Sequence, residues 1–382
     1  MNPGSGRLES LDVLRGFDLF CLTILCPLLW AFYDTGHYSW LQPVMQQFSH
    51  VQWAGFALWD LVMPLFMFMA GVSVPFAFGK YLKAGEGYGK IYKRIFRRVI
   101  VLWILGMVCQ GNLFALDINV LKLFSNTLQA IAVGYLISAV IYLHCRPKGQ
   151  IFVTVGLLGI YWALLTFVSV DGYGGGDYTA QGNLAEWVDR VVLGRWRDGA
   201  CLDESGKVIF LQWYDYTWIL SSLNFGATVM TGVFAGEILR SRLDSSAKWK
   251  WLFGIGTAMV AIGWLWGLQM PVIKRIWTSS MVLVSSGYCF WLMGLFYYLI
   301  DYKGYRNGWT WLKVIGMNSI LAYVLSAEVG VISFSCIGHS VFWGMRQYIG
   351  SDFYHLLILT INIGFVYSLL YVLYRHKIFL KA

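Results

Sequence analysis

Charge is scarce in this chain. Only 13% of its 382 residues are Asp, Glu, Lys or Arg, about half the share of an ordinary soluble domain. That scarcity excludes a soluble globule and divides the length into membrane spans rather than soluble domains. Cysteine pairs are also missing: the seven cysteines are scattered without a CxxC, and Cys21, Cys109 and Cys289 fall in apolar runs. Neither a disulfide framework nor a metal site follows from them. There is no Walker loop, GxSxG elbow, HExxH or dinucleotide fingerprint, so those chemistries have no anchor here. No internal repeat is visible, which argues against an inverted-repeat transporter. No cleavable signal peptide is expected, because the apolar stretch after Arg7 and Arg15 is long and lacks a small-residue cleavage site.

What the chain does have is apolar length. Hydrophobic residues make up 58% of it, mean hydropathy is +0.59, and 19 Trp and 23 Tyr suit aromatic belts at two interfaces. Ten runs are long enough to span about 30 Å of hydrocarbon as helices: 11–33, 57–79, 95–115, 124–144, 151–170, 217–239, 250–269, 277–300, 311–336 and 353–374. The ninth contains Glu328 and Gly330 and is expected to break or tilt. The basic residues fit ten spans with both termini cytoplasmic. On that side fall Arg7 and Arg15, Lys80 through Arg98, Arg146 and Lys148, Arg240 through Lys250, Lys303 through Lys313, and the C-terminal group from Arg375. Only the short loop with Lys274 and Arg275 breaks the pattern. The net charge of +9 is thus first a topological device, and second an attraction for anionic lipid or an anionic cofactor. The fold class expected is an all-α polytopic helix bundle forming a single domain over 1–382, with an outer loop or cap at about 171–216.

His50 stands at the outer mouth of the second run, and Asp60 lies ten residues further in. A titratable group in or beside lipid is costly and marks a functional site by default, and histidine is the side chain suited to proton transfer near neutral pH. In a continuous helix Asp60 would sit about 15 Å deeper, so it is not expected to orient His50 directly. Asp12 and Arg15, three apart, share a helical face. They read as an ion pair that lets the first span start in lipid, or as a grip on the phosphates of a cytosolic donor. Asp18, a later turn on, must find a partner inside the bundle. Further polar residues cluster at span ends: Asn126 and Gln129; Asp215, Ser221, Ser222 and Asn224; Lys274, Thr278, Ser279 and Ser280; with Asn318 and Ser319 in the ninth span. Each suits a helix cap or an interhelical hydrogen bond, and together they suggest a polar cavity open to the outside.

These blocks carry a resemblance. R-L-E-S-L-D-V-L-R-G-F-D-L (Arg7–Leu19) followed by H-V-Q-W-A-G-F-A-L-W-D-L-V-M-P (His50–Pro64) resembles the transmembrane heparan-α-glucosaminide N-acetyltransferase family and its bacterial relatives. Leu128-Gln129, Asp215–Ser222, Gly232–Gly236, Lys274–Ser280 and Gly316–Tyr323 continue the likeness in order. The resemblance implies an acetyl-CoA-dependent acyltransferase of the bacterial inner membrane that moves an acetyl group from cytosolic acetyl-CoA to the amine of an extracytoplasmic glucosamine-type sugar. Its active-site histidine falls on His50, its first-span Asp and Arg on Asp12 and Arg15, and its second-span Asp on Asp60. His50 would act as base or as acetyl carrier, with Asp60 and Asn318 as its catalytic companions. Asn318, Ser279 or the Trp53 indole would donate to the oxyanion. Asp12, Arg15, Trp53, Gln129 and Ser279 form the donor side; Asp215, Lys274 and Ser222 form the acceptor side. The family's W-N-G is W-A-G here, Cys26 replaces an asparagine, and Ala130 an arginine, so a bacterial cell-wall sugar suits the acceptor as well as heparan does.

Two other readings use the same residues. One is a transmembrane polysaccharide O-acyltransferase; the other, of a different class, is a proton-coupled sugar transporter in which buried Asp and His relay protons. Acetyl-CoA, a glycan acceptor and membrane lipid are the expected partners, with no metal and no nucleic acid; a homodimer is left open.

Overall fold

The computed structural model describes residues 8–83, 87–211, 216–326 and 333–380, without the side chains at 80, 82 and 83. Glu328, Gly330 and Asp215 therefore lie outside the described residues. The chain is mainly helical. In order it forms α1 (Glu9–Phe20), a π-helical turn (Cys21–Leu25), α2 (Cys26–Asp34), α3 (Gln42–Gln47), a 3-10 turn (Leu58–Leu61) leading into α4 (Val62–Lys83), α5 (Tyr88–Cys109), α6 (Thr127–His144) and α7 (Pro147–Phe167). Two small antiparallel hairpins, β1 (Ser169–Val170) with β2 (Tyr173–Gly174) and β3 (Ala200–Leu202) with β4 (Val208–Phe210), flank α8 (Leu184–Leu193). Then follow α9 (Ser222–Arg240), α10 (Ser245–Trp266), α11 (Ser279–Phe296), a second π-helical turn (Tyr297–Tyr302), α12 (Thr310–Met317), α13 (Ser319–Val324), α14 (Ser335–Phe342), α15 (Arg346–Ile349) and α16 (Ser351–Arg375).

Among the described residues six helical stretches are long and apolar enough to cross a membrane: Glu9–Asp34, Leu58–Gly79, Thr127–His144, Pro147–Phe167, Ser279–Tyr302 and Ser351–Arg375. They mark an integral membrane protein, and each falls on one of the runs read from sequence. The third, sixth and seventh runs contain helices α5, α9 and α10, of 22, 19 and 22 residues, which do not meet that criterion of apolarity. In the ninth run the helix stops at Asn318, whose backbone (φ −119°, ψ 44°) is not helical.

The chain separates into two compact units. One holds Val51–Phe56 and Met63–Gly294; the other holds Leu8–His50, Ala57–Val62 and Leu295–Ala382. In the first, α6 packs against α5 and α9, and α7 against α9. Its helices α4 and α9 meet through a reciprocal pair of glycines. A Cβ on Gly71 would strike the Val229 carbonyl oxygen, and one on Gly232 the Phe68 carbonyl oxygen, so the backbones touch only because both side chains are absent. The second unit repeats the device. Gly16 on α1 lies against the Leu312 carbonyl, and Gly316 on α12 against the Asp12 carbonyl.

The described residues between 171 and 211 are folded rather than loose. Arg197, fully buried, bonds Glu186 through its guanidinium and also donates to the Asp198 carbonyl at 2.8 Å. Glu186 in turn accepts from Arg190 Nε at 2.7 Å, and the Asn183 side chain caps α8 by accepting from the Glu186 N–H at 2.9 Å. A buried charge held this way needs its partner, since either one alone would be an uncompensated ion. Asp189, also buried, accepts from the Trp218 and Ile219 N–H groups at 2.7 and 2.9 Å, which ties α8 to the approach of α9.

Candidate functional site

The stretch after His50 is not a helix. The 3-10 turn begins only at Leu58, so the run from His50 is extended and turned instead of rising 15 Å. The chain then folds back, and His50 Nδ1 comes to 2.8 Å from Asp60 Oδ1. This corrects the expectation that Asp60 lies too deep to orient the histidine, which assumed unbroken helix. Asp60 is buried, whereas the His50 side chain is 39% exposed. The other carboxylate oxygen, Oδ2, accepts from the Ala57 N–H at 3.1 Å, so both ends of the carboxylate are fixed. The Trp59 ring lies 6.4 Å from the imidazole, and Phe48 packs on Trp59 at 6.1 Å. A buried carboxylate with one oxygen on a backbone N–H and the other on Nδ1 sets the imidazole's orientation. With the proton on Nδ1, Nε2 is left as the basic nitrogen.

The rest of the second unit's polar residues divide. Arg15 Nη1 lies 3.5 Å from Asp12 Oδ1 on the shared face the spacing predicted, with Asp12 buried and Arg15 partly open. Asn318 is buried, and both ends of its amide hold the C-terminal segment. Nδ2 donates to the Ile378 carbonyl at 3.1 Å, and Oδ1 accepts from the Leu380 N–H at 3.0 Å. Asp18 was expected to find a partner in the bundle, but its Oδ2 is buried with none among the described residues. It lies one turn before the π-helical turn at Cys21–Leu25, and such turns often accompany functional sites. Sequence reading missed the ion cluster at the start of α1: Glu9 meets Lys313 Nζ at 2.5 Å and Arg306 Nε at 3.5 Å. Asp301, in the second π-helical turn, accepts from the Ser10 N–H at 3.2 Å. Opposite charges some 300 residues apart give no local signal.

In the first unit the strap Val51–Phe56 is held by the Gly55 N–H donating to the Val272 carbonyl at 2.8 Å and by an Ala54–Ile273 bridge. The Trp53 indole N–H donates to the Tyr178 carbonyl at 2.9 Å. Around the 270–280 loop the polar residues read as lining an open cavity are instead packed into the interior. Asn224 Nδ2 donates to the Trp277 carbonyl at 2.7 Å and the Ser279 Oγ at 3.3 Å. Ser279 Oγ donates to the Leu158 carbonyl at 2.8 Å, and Ser221 Oγ to the Ile276 carbonyl at 3.2 Å. Their role here is to satisfy the carbonyls of a buried irregular loop, which apolar side chains could not do. Gln129 similarly accepts from the Ser125 N–H at 2.8 Å and donates to the Leu123 carbonyl at 2.6 Å, and Ser222 Oγ donates to the Trp218 carbonyl at 2.7 Å. Lys274 is buried in the same loop. Trp277 holds a left-handed backbone, φ 51°, though it is large and fully packed. Such strain persists only where surroundings over-determine it, here through its carbonyl on Asn224 and its indole N–H on Thr228 Oγ1 at 3.0 Å. Among the described residues no group of three or more His, Cys, Asp or Glu could hold a metal ion.

Comparison with known proteins agrees with the resemblance carried by these blocks. The chain is 26% identical over 438 aligned positions to the heparan-alpha-glucosaminide N-acetyltransferase of Homo sapiens, covering 100% of the chain and 62% of that protein. It is 25% identical over 370 positions to the Mus musculus enzyme of the same name, covering 84% of the chain and 53% of the mouse protein. The chain thus spans little more than half the length of these curated relatives. No family profile matches it. At this level of identity the chain is a distant relative of those N-acetyltransferases.

Proposed function

We propose that this protein is a membrane-embedded acetyltransferase that moves an acetyl group from acetyl-CoA to the amine of a glucosamine-type sugar, with His50 as general base. The observation that carries the reading is the His50–Asp60 pair, a buried carboxylate clamped by a backbone N–H and set against a half-open imidazole. The likeness to two N-acetyltransferases supports it. The sugar nitrogen attacks the thioester carbonyl carbon, forming C–N, and His50 Nε2 takes the proton the amine loses. The C–S bond then breaks, and the imidazolium returns that proton to the departing thiolate as free CoA. Asp60 holds Nδ1–H and stabilises the imidazolium. Base catalysis of this kind is worth about 10²–10⁴-fold in rate.

In this reading the donor comes from the cytosol with both termini on that side, in a bacterial inner membrane. Arg15, steadied by Asp12, meets its phosphates. Lys274, Ser222 and Asp215 belong to the acceptor side. Asn318, whose amide is engaged by 378–380, positions the broken ninth run; Gln129 shapes the start of α6.

The test is release of free CoA by the purified protein in detergent or vesicles, with acetyl-CoA and either glucosamine or N-blocked glucosamine. Release with the free amine alone, giving an alkali-stable amide, supports the reading. Release that requires a hydroxyl and yields an alkali-labile ester would replace it with O-acylation. Proton-coupled sugar uptake without CoA release would replace it with transport.

A further inference from the structure

Helix α5 has one buried face and one open face, and the open face changes character along its length. Ile91, Ile95 and Leu102 are buried. On the opposite side Lys90, Lys93, Arg94 and Arg97 are all exposed. The spacing i, i+3, i+4, i+7 brings these four onto one stripe. The same stripe continues with Ile100 and Ile104, which are about half exposed, flanked by the equally open Phe96. At 1.5 Å per residue the cations occupy roughly 10 Å of helix, and the exposed isoleucines begin about 5 Å beyond them. That is the sequence of a phospholipid read from headgroup to acyl chain.

A second set of cations stands beside it. The Tyr92 hydroxyl meets His144 Nε2 at 2.6 Å, and the Tyr88 ring stacks on His144 with centroids 5.8 Å apart. This fastens the start of α5 to the end of α6, and Arg146 and Lys148, both exposed, follow two and four residues later. The Arg94 guanidinium is braced over the Tyr81 ring at 3.8 Å. Among the described residues no ion pair involves Lys90, Lys93, Arg94, Arg97, Arg146 or Lys148. Between Lys80 and Lys148 the sequence offers only Glu86 and Asp117 as acids. A preference for basic loops on one membrane side accounts for how many cations stand here. It does not account for four of them sharing a stripe with exposed aliphatic side chains.

We propose that the first three turns of α5, together with the α6–α7 turn, bind an anionic phospholipid, its phosphate among Lys90, Lys93, Arg94 and Arg97 and an acyl chain along Ile100 and Ile104. The aliphatic half of the stripe favours a lipid over a soluble nucleotide, which would use only the cations. This inference is independent of the acetyltransferase reading and stands whether or not transfer is observed.

The experiment is native mass spectrometry of the delipidated full-length protein titrated with phosphatidylglycerol, phosphatidylcholine or CoA. The variants are the triple change Lys90→Gln, Lys93→Gln, Arg97→Gln and the pair Ile100→Ser, Ile104→Ser. All these side chains are exposed, and circular dichroism checks that the fold is kept. Saturable phosphatidylglycerol binding is expected, at least tenfold tighter than phosphatidylcholine, weakened about a hundredfold by the triple change and severalfold by the isoleucine pair. Equal affinity for the two lipids, or undiminished phosphatidylglycerol binding in the triple variant, overturns the proposal. So does CoA displacing the lipid at matching concentration, which would assign the cations to a nucleotide.

Discussion

His50 and Asp60, ten residues apart, are joined by a 2.8 Å contact between Nδ1 and Oδ1 because the seven residues after His50 do not form a helix. The carboxylate cannot swing away, since its second oxygen accepts from the Ala57 N–H. The carboxylate fixes the ring through Nδ1.

Replacing Asp60 with Asn should therefore harm turnover more than binding. The amide oxygen will turn to the Ala57 N–H, presenting its NH₂ to His50 Nδ1 and forcing the ring proton onto Nε2. CoA release should fall about 10²–10⁴-fold in kcat with little change in KM for acetyl-CoA. His50→Ala should fall at least as far, with melting temperature close to that of the parent. Wild-type kcat in either variant removes the histidine from the mechanism.

Arg197 and Glu186 make the folded segment between α7 and α9 sensitive to loss of one charge. Arg197→Met leaves Glu186 with Arg190 alone in a buried setting, and should cost about 1–3 kcal/mol. Limited proteolysis within 171–211 and a lowered Tm report it. Resistance equal to the parent's would show that the pair does not hold this segment.

Asp189 gives the same segment a pH dependence. Burial pushes its carboxyl from an ordinary 3.8 up to about 7, against the pull of the two backbone donors and the Arg197 charge; the nearby Glu186 raises it further. Folded protein thus keeps a proton that unfolded chain releases, so stability falls as pH rises from about 4 to 7 and is flat on either side of that window. Asp189→Asn should flatten the slope, and should cost about 1 kcal/mol at low pH, because its amide nitrogen cannot accept the second N–H. Thermal melts across pH 4–8 decide the matter; an unchanged slope in the variant assigns the dependence to other groups.

The two glycine seams predict that side chains, not polarity, are what these positions reject. Gly16→Val or Gly232→Val should cost about 1–3 kcal/mol by forcing backbones apart. Gly156, with open space where a Cβ would stand, should accept Ala with a slight rise in Tm. Equal effects at seam and control would sink the close-approach argument.

Much of the fold was legible because crossing a membrane demands length and apolarity, which the six spans display without reference to their neighbours. The strap Val51–Phe56 was not. V-Q-W-A-G-F reads as the beginning of an apolar helix, and only the Gly55 backbone at φ 128°, with its bond to Val272, reveals otherwise. The histidine and its acid were both found as candidates, while their contact was missed for that same reason. Ser221, Asn224 and Ser279 were recognised as too polar for lipid, but a sequence cannot tell a wet cavity from a buried loop whose carbonyls need donors. The partners of Glu9, on the far side of the chain in sequence, left no periodic trace.

The paired glycines also restrict how the molecule can breathe. Helices in backbone contact cannot slide or roll without collision, so α1 with α12, and α4 with α9, travel as rigid planks. Any widening within either unit has to be borne by seams cushioned with side chains, and these joints are made stiff by what their residues leave out.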